Sequence, residues 1–229
     1  MRLAIVSDVH GNLPALDAVQ ADLEGVRPDQ VVHGGDLALG GPHPVEVVDR
    51  IRELGWPGVL GNTDELLGGA SRVLPPSLGF VADAAAMTRE MLGAERVAWL
   101  TGLPIEWRAE GVALVHATPG DCWAIVPHDA PDEKLREVYG PLGALTAAYC
   151  HIHHPYVRLL DRLTVVNSGS LSLALDGDVR ASYVIIDGAQ IEHRRVAYDL
   201  EPVAEDMVRI GYPNADGYAQ WLQTGLRPG

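Results

Sequence analysis

Leu3-Ala4-Ile5-Val6 is a short apolar run that stops abruptly at Ser7-Asp8-Val9-His10-Gly11-Asn12. A carboxylate and an imidazole two residues apart at the end of a buried strand begin a metal site. In an extended chain, residues i and i+2 point to one side and can reach one point. The same arrangement recurs along the chain. Gln30-Val31-Val32-His33 runs into Gly34-Gly35-Asp36, and Gly58-Val59-Leu60 into Gly61-Asn62-Thr63-Asp64. Val112 to Val115 ends at His116, and Leu145 to Cys150 delivers His151-Ile152-His153-His154. Five loops therefore offer Asp8, His10, Asp36, Asn62, His116, His151 and His153. One such residue is explained as a cap or a turn former. Seven in this order, with no cysteine among them, are not.

The elements that carry these residues follow from periodicity. Leu13 to Leu23 is an amphipathic helix with Leu16, Val19 and Leu23 on one face and Pro14 in its first turn. A second helix carries Val47, Val48, Ile51 and Leu54. Three strand–loop–helix units within the first sixty-odd residues predict an α/β fold, in which functional groups collect beyond the carboxyl ends of the strands. From about residue 65 to 102 the chain is Ala- and Leu-rich and helical, interrupted at Pro75-Pro76. It then turns mainly β: Ile105 to Ala109, Val112 to Val115, Leu145 to Cys150, Tyr156 to Leu160, Leu163 to Asn167, Ser182 to Ile186 and Ile191 to Val196. A short helix spans Asp132 to Tyr139. From Glu201 the pattern is helical again, with Val203, Met207 and Ile210 on one side. Met87, Met91, Trp99 and Trp221 fit core packing.

The 229 residues carry 17 basic and 31 acidic side chains, a net charge of −14. Broad nonspecific nucleic-acid binding needs a basic footprint and is disfavoured. A metal site that accepts phosphate is compatible with this charge, because bound cations reverse the local field. Two cysteines, Cys122 and Cys150, are too few for a disulfide framework. No secretory leader or membrane-spanning apolar run is visible, so a soluble cytoplasmic protein with no membrane partner is expected. Homo-oligomerisation through one apolar patch stays open.

The ordered motifs resemble those of the calcineurin-like metallophosphoesterase superfamily, D-x-H, G-D, G-N-[H/C/T]-[D/E], H and G-H-x-H. Here they read Asp8-Val9-His10, Gly35-Asp36, Gly61-Asn62-Thr63-Asp64, His116 and Cys150-His151-Ile152-His153. Within the superfamily the chain is similar to small bacterial phosphodiesterase-type members, through Ser7 to Leu13, Asn167-Ser168-Gly169-Ser170 and Arg180-Ala181-Ser182-Tyr183. The resemblance implies a four-layer αββα sandwich, two facing mixed sheets flanked by helices. Residues 1–200 would form the phosphoesterase domain, and 201–229 a helical extension packed on it. It also implies one metal on Asp8, His10, Asp36 and His153 and a second on Asp36, Asn62, His116 and His151, with Asp36 and a water or hydroxide bridging them. Two divalent transition-metal ions are implied, manganese foremost, with iron, zinc, cobalt or nickel as alternatives. Mixed oxygen and imidazole donors suit these ions better than a calcium cage. The activity implied is hydrolysis of a small phosphoester, a phosphodiester first. A nucleotide or dinucleoside polyphosphate is the alternative substrate, and a non-catalytic scaffold on the same fold is the rival of another class.

Asp36, Asn62, Thr63 and Asp64 form the implied catalytic group, with Asn12, Thr63, His43 and Trp123 as substrate contacts. Thr63 stands where many relatives have histidine, and a threonine hydroxyl is a poor general acid. Good leaving groups or a donor from elsewhere are therefore expected. His43 is one such donor, set against the plainer reading of an exposed loop histidine. His33 reads as a strand residue, His154 points away from the cluster, and Cys150 is a small buried hydrophobe in place of glycine. Leu37-Ala38-Leu39-Gly40-Gly41 after Asp36 lacks the arginine of the protein phosphatase branch.

Overall fold

The computed structural model describes residues 1–70 and 79–228, so Pro75-Pro76 lies outside the described residues. Among the described residues, nine strands form two sheets. The first has the order β2 (Gln30–His33), β1 (Arg2–Val6), β8 (Ala181–Asp187), β9 (Gln190–Val196). The second has the order β3 (Glu106–Ala109), β4 (Val112–Val115), β5 (Thr146–Tyr149), β7 (Leu163–Asn167), β6 (Tyr156–Leu160). Both sheets are mixed: β1 runs parallel to β2 and antiparallel to β8, while β5 runs parallel to β4 and β7.

Strand alternation builds the layers. Leu3 and Ile5 of β1 face the second sheet and pack with Val184, Leu114, Ala148 and Val166. Ala4 and Val6 face the other way, onto α1 (Leu13–Val26), α2 (Pro44–Leu54) and α4 (Gly79–Thr101). On the far side, Ala113, Val115 and Ala147 pack against Leu135 and Tyr139 of α5 (Asp132–Tyr139). The result is the expected αββα sandwich. A strand apolar on both faces is what a sheet covered on both sides requires.

Helix ends follow local chemistry. Asn12 caps α1 by accepting the Ala15 amide at 3.1 Å. Pro44 opens α2 and Gly55, at φ 63°, closes it. Two further helices, α6 (Glu201–Arg209) and α7 (Ala215–Thr224), bury Val203, Met207, Tyr218 and Leu222 in the same core as α1 and α2.

One predicted strand is absent. Gly58 makes a single bridge to His33, and Val59 donates to the His33 carbonyl at 3.0 Å. The Leu60 amide then turns away to Pro104 O at 2.8 Å, which ends the pairing. The helix α3 (Asn62–Leu67) starts directly afterwards, so Asn62, Thr63 and Asp64 form its first turn.

Candidate metal centre

All five loops end at one edge of the sandwich. The loop after β1 lies alongside the loop after β2, with the amides of Asp8, His10 and Gly11 donating to the carbonyls of Gly35, Asp36 and Leu37 at 3.1, 3.0 and 2.8 Å. Asp8 and His10 do converge, but not by strand alternation. β1 stops at Val6, and both residues lie in the left-handed region, at φ 55° and 50°. Nine described non-glycine residues have positive φ, and five of them are Asp8, His10, Asp36 (55°), His151 (59°) and His153 (52°). Such backbone costs on the order of 1–3 kcal/mol per residue and persists where the surroundings enforce it. The loops around Asp36 approach one another closely. A Cβ on Gly61 would lie 2.1 Å from Asp36 Oδ1, so only glycine lets the third loop reach the second.

The imidazoles are locked by carbonyls. His10 Nδ1 lies 2.5 Å from Leu39 O, His116 Nδ1 lies 2.7 Å from Gly34 O, and His153 Nδ1 bonds Leu173 O. A carbonyl only accepts, so each Nδ1 carries a proton and each ring, when neutral, presents a lone pair on Nε2 inward. Those Nε2 atoms meet other acceptors. His153 Nε2 lies 3.0 Å from Asp8 Oδ1 and 3.3 Å from His10 Nε2, and His116 Nε2 lies 2.8 Å from Asn62 Oδ1. Asp36 divides its oxygens, Oδ1 standing 3.6 Å from His116 Nε2 and Oδ2 3.9 Å from His10 Nε2. Apart from the contact with His153, the oxygens of buried Asp8 have no hydrogen-bond partner among the described residues. Buried acceptors facing acceptors are costly unless a cation lies between them. The donor set therefore fits divalent metal. Two groups have ligand atoms within 4.8 Å of one another, Asp8–His10–His153 and Asp8–Asp36–His116. His151 stands beside the second, its ring edge-on to His116 with centroids 5.1 Å apart.

Electrostatics divide the imidazoles: burial would lower His153, but the Asp8 carboxylate beside it outweighs burial and raises it, so without metal this ring shares a proton with Asp8. Burial, followed by the neighbouring His116, pushes His151 down to about 4, and burial lowers His10. Burial alone would raise the Asp8 carboxyl, but His153, His116 and His10 outweigh it and hold it below the usual carboxylate range.

Asp64 belongs to the frame. It accepts the amides of Asp36 at 2.7 Å, Leu37 at 3.1 Å and Gly61 at 3.1 Å. Burial and the Asp36 charge push its carboxyl up to about 7. The Thr63 amide donates to Asp36 Oδ1 at 2.9 Å, and its buried hydroxyl has no partner among the described residues. Trp123 donates its indole N–H to Glu65 of α3 at 2.6 Å, which ties the loop after His116 to the helix of Asn62.

Two expected substrate contacts are committed elsewhere. The Asn12 amide caps α1 and donates to Ser172 Oγ at 3.0 Å and Tyr198 OH at 3.1 Å. His43 Nε2 lies 2.7 Å from Asp206 Oδ2 of α6, so it is neither an exposed loop histidine nor a free donor. His154 stacks on His128 with centroids 3.8 Å apart, away from the cluster. Cys150 is fully buried, and Ser168 Oγ lies 3.4 Å from its sulfur. Sequence reasoning missed the supporting aromatics. Tyr212 OH accepts the Gly40 amide at 2.9 Å, and Trp221 Nε1 donates to Ala174 O at 2.6 Å. Trp221 reads as a core residue in the sequence, and Tyr212 lies between the two helices with no periodic signal.

A calcineurin-like phosphoesterase superfamily domain matches residues 1–190. The chain belongs to this superfamily. Its members use dinuclear metal centres, in agreement with the paired acceptor groups seen here. An uncharacterised protein of Methanocaldococcus jannaschii is 31% identical over 244 residues, covering 96% of this chain and 95% of that one. A metallophosphoesterase from Sphaerobacter thermophilus superposes with a TM-score of 0.84 at 26% identity, covering 99% of both chains. A hypothetical protein from Pyrococcus horikoshii shares the fold at a TM-score of 0.88 and 19% identity, again over 99% of both chains. The phosphoesterase domain thus supports a hydrolase acting on a small phosphoester. No described helix is long and apolar enough to cross a membrane.

Proposed function

We propose that this phosphoesterase is a phosphodiesterase using two divalent ions, manganese first. Asp8, His10, Asp36 and His153 would hold one ion, and Asp36, Asn62, His116 and His151 the other. The observation that carries this reading is the set of three Nε2 lone pairs, fixed by carbonyls, converging with the oxygens of Asp8, Asp36 and Asn62. When bound, such a pair of ions lowers the pKa of water and neutralises phosphoryl oxygens.

The protein groups suit a singly charged diester. Among the described residues, none of the Lys or Arg ion pairs reaches the seven candidate ligands, an arrangement that favours a singly charged diester over a dianionic monoester. Asn62 is neutral, which leaves more positive charge for the substrate. Thr63 offers a hydroxyl that can donate one hydrogen bond but is a weak acid, so turnover should favour leaving groups that depart without protonation. Trp123, braced by Glu65, would wall one side.

The test is metal content and hydrolysis of a chromogenic diester beside the matching monoester, on chelated protein reloaded with Mn²⁺. Two ions per chain and preferential diester cleavage are expected. Two ions without turnover of either would favour a narrow natural substrate or a scaffold, and no metal would overturn the reading.

A further inference from the structure

We infer that the α6–α7 helical pair is a positioning element for one half of the metal centre, the Asp8–His10–His153 half, and not for the other. The inference rests on the dinuclear reading above. Both helices lie beyond residue 190, where the superfamily domain match ends. Each histidine of that half is oriented by a carbonyl, and each carbonyl sits in a segment gripped by the pair. The Leu39 carbonyl fixes His10, and the next amide, Gly40 N–H, donates to Tyr212 OH at 2.9 Å. The Leu173 carbonyl fixes His153, and the next carbonyl, Ala174 O, accepts Trp221 Nε1–H at 2.6 Å. The Trp221 ring lies nearly parallel to that of His153, with centroids 6.4 Å apart and planes 29° apart. Gly177 N–H donates to Gly225 O at 3.0 Å and closes the same loop onto the end of α7.

The other half is held differently. His116 is fixed by Gly34 O, and the carbonyl of the next residue, Ala117, accepts Tyr139 OH of α5 at 2.9 Å. Among the described residues, no hydrogen bond from α6 or α7 reaches Asn62, His116 or His151. The two halves therefore have separate braces, Tyr212 of the α6–α7 connection with Trp221 of α7 for one and Tyr139 of α5 for the other.

The experiment isolates each half. His151→Ala keeps Asp8, His10 and His153, and His10→Ala keeps Asn62, His116 and His151. Tyr212→Phe, which removes one hydroxyl, and separately Trp221→Phe are placed in each background. Chelated full-length protein is titrated with Mn²⁺ alone in a calorimeter. In the His151→Ala background both substitutions should weaken Mn²⁺ by about tenfold or more, the usual effect of losing a group that orients a metal ligand. In the His10→Ala background they should leave it unchanged, and Tyr139→Phe should show the reverse pattern. Equal weakening in both backgrounds, with a fall in the melting temperature of the chelated protein, would show general loosening and overturn the inference. So would unchanged affinity in the His151→Ala background. Wild-type protein that binds no Mn²⁺ would instead overturn the dinuclear reading, and this inference with it.

Discussion

Asp64 accepts the backbone N–H of Asp36 at 2.7 Å, while its two oxygens also take the amides of Gly61 and Leu37. One carboxylate thus clamps the loop of Asp36 to the start of the helix of Asn62. Asp64→Asn places an N–H₂ group against a buried backbone donor. A loss of about 1–3 kcal/mol is expected from the unsatisfied groups, read by urea denaturation of the chelated protein. Unchanged stability would show that the clamp contributes little.

Asp36 faces His10 with one oxygen and His116 with the other. Asp36→Asn should therefore disturb both metals and nearly abolish phosphodiester turnover, whereas a purely structural aspartate would spare metal content. Metal analysis beside the rate decides between them, and retention of most activity would sink the bridging role.

His116→Ala removes the imidazole next to Asn62 and leaves Asp8, His10 and His153 in place. Bound metal should fall from two ions to one per chain. A stoichiometry that stays at two would place His116 outside the ligand set.

Asn12→Ala separates a cap from a substrate contact. The lost cap should cost about 0.5–2 kcal/mol, with the bonds to Ser172 and Tyr198 lost as well. KM for the diester should stay unchanged. A raised KM with unaltered stability would restore Asn12 to the substrate.

His33 supplies a pH test. Both ring nitrogens are buried without a partner among the described residues, and burial holds the imidazole down to about 3. The unfolded chain takes up this proton below about 6.5, whereas the folded chain does not until near 3. The group's contribution is thus fully present above pH 6.5 and is lost progressively as pH falls towards 3. His33→Leu should flatten this part of the stability profile, so wild type and variant should diverge between pH 7.5 and 5. Parallel curves would place a proton on His33 in the folded state.

The candidate ligands and their order are legible because each apolar run ends in a chemically distinctive residue. The backbone that unites them is not. Aspartate and histidine at φ near 50–60° carry no local signature, and the close approach of Gly61 to Asp36 joins loops from different strands. The partners of Asn12 and His43, namely Ser172, Tyr198 and Asp206, lie 160 or more residues away and leave no trace in the local sequence. Gly58 to Leu60 has strand composition, but the Leu60 amide is claimed by Pro104. Trp221 illustrates the opposite difficulty, since an indole that packs in a helix looks the same whether or not its N–H holds a functional loop.

The grip of Tyr212 on Gly40 and of Trp221 on Ala174 also fixes an order of events during synthesis. Asp8 and His10 leave the ribosome some two hundred residues before Trp221, at roughly 5–20 residues per second. For a time on the order of ten seconds or more, these ligands exist without the braces that aim them. On the proposed reading, this half of the centre would reach its final geometry only once α7 has been made and docked, a late point in the protein's maturation.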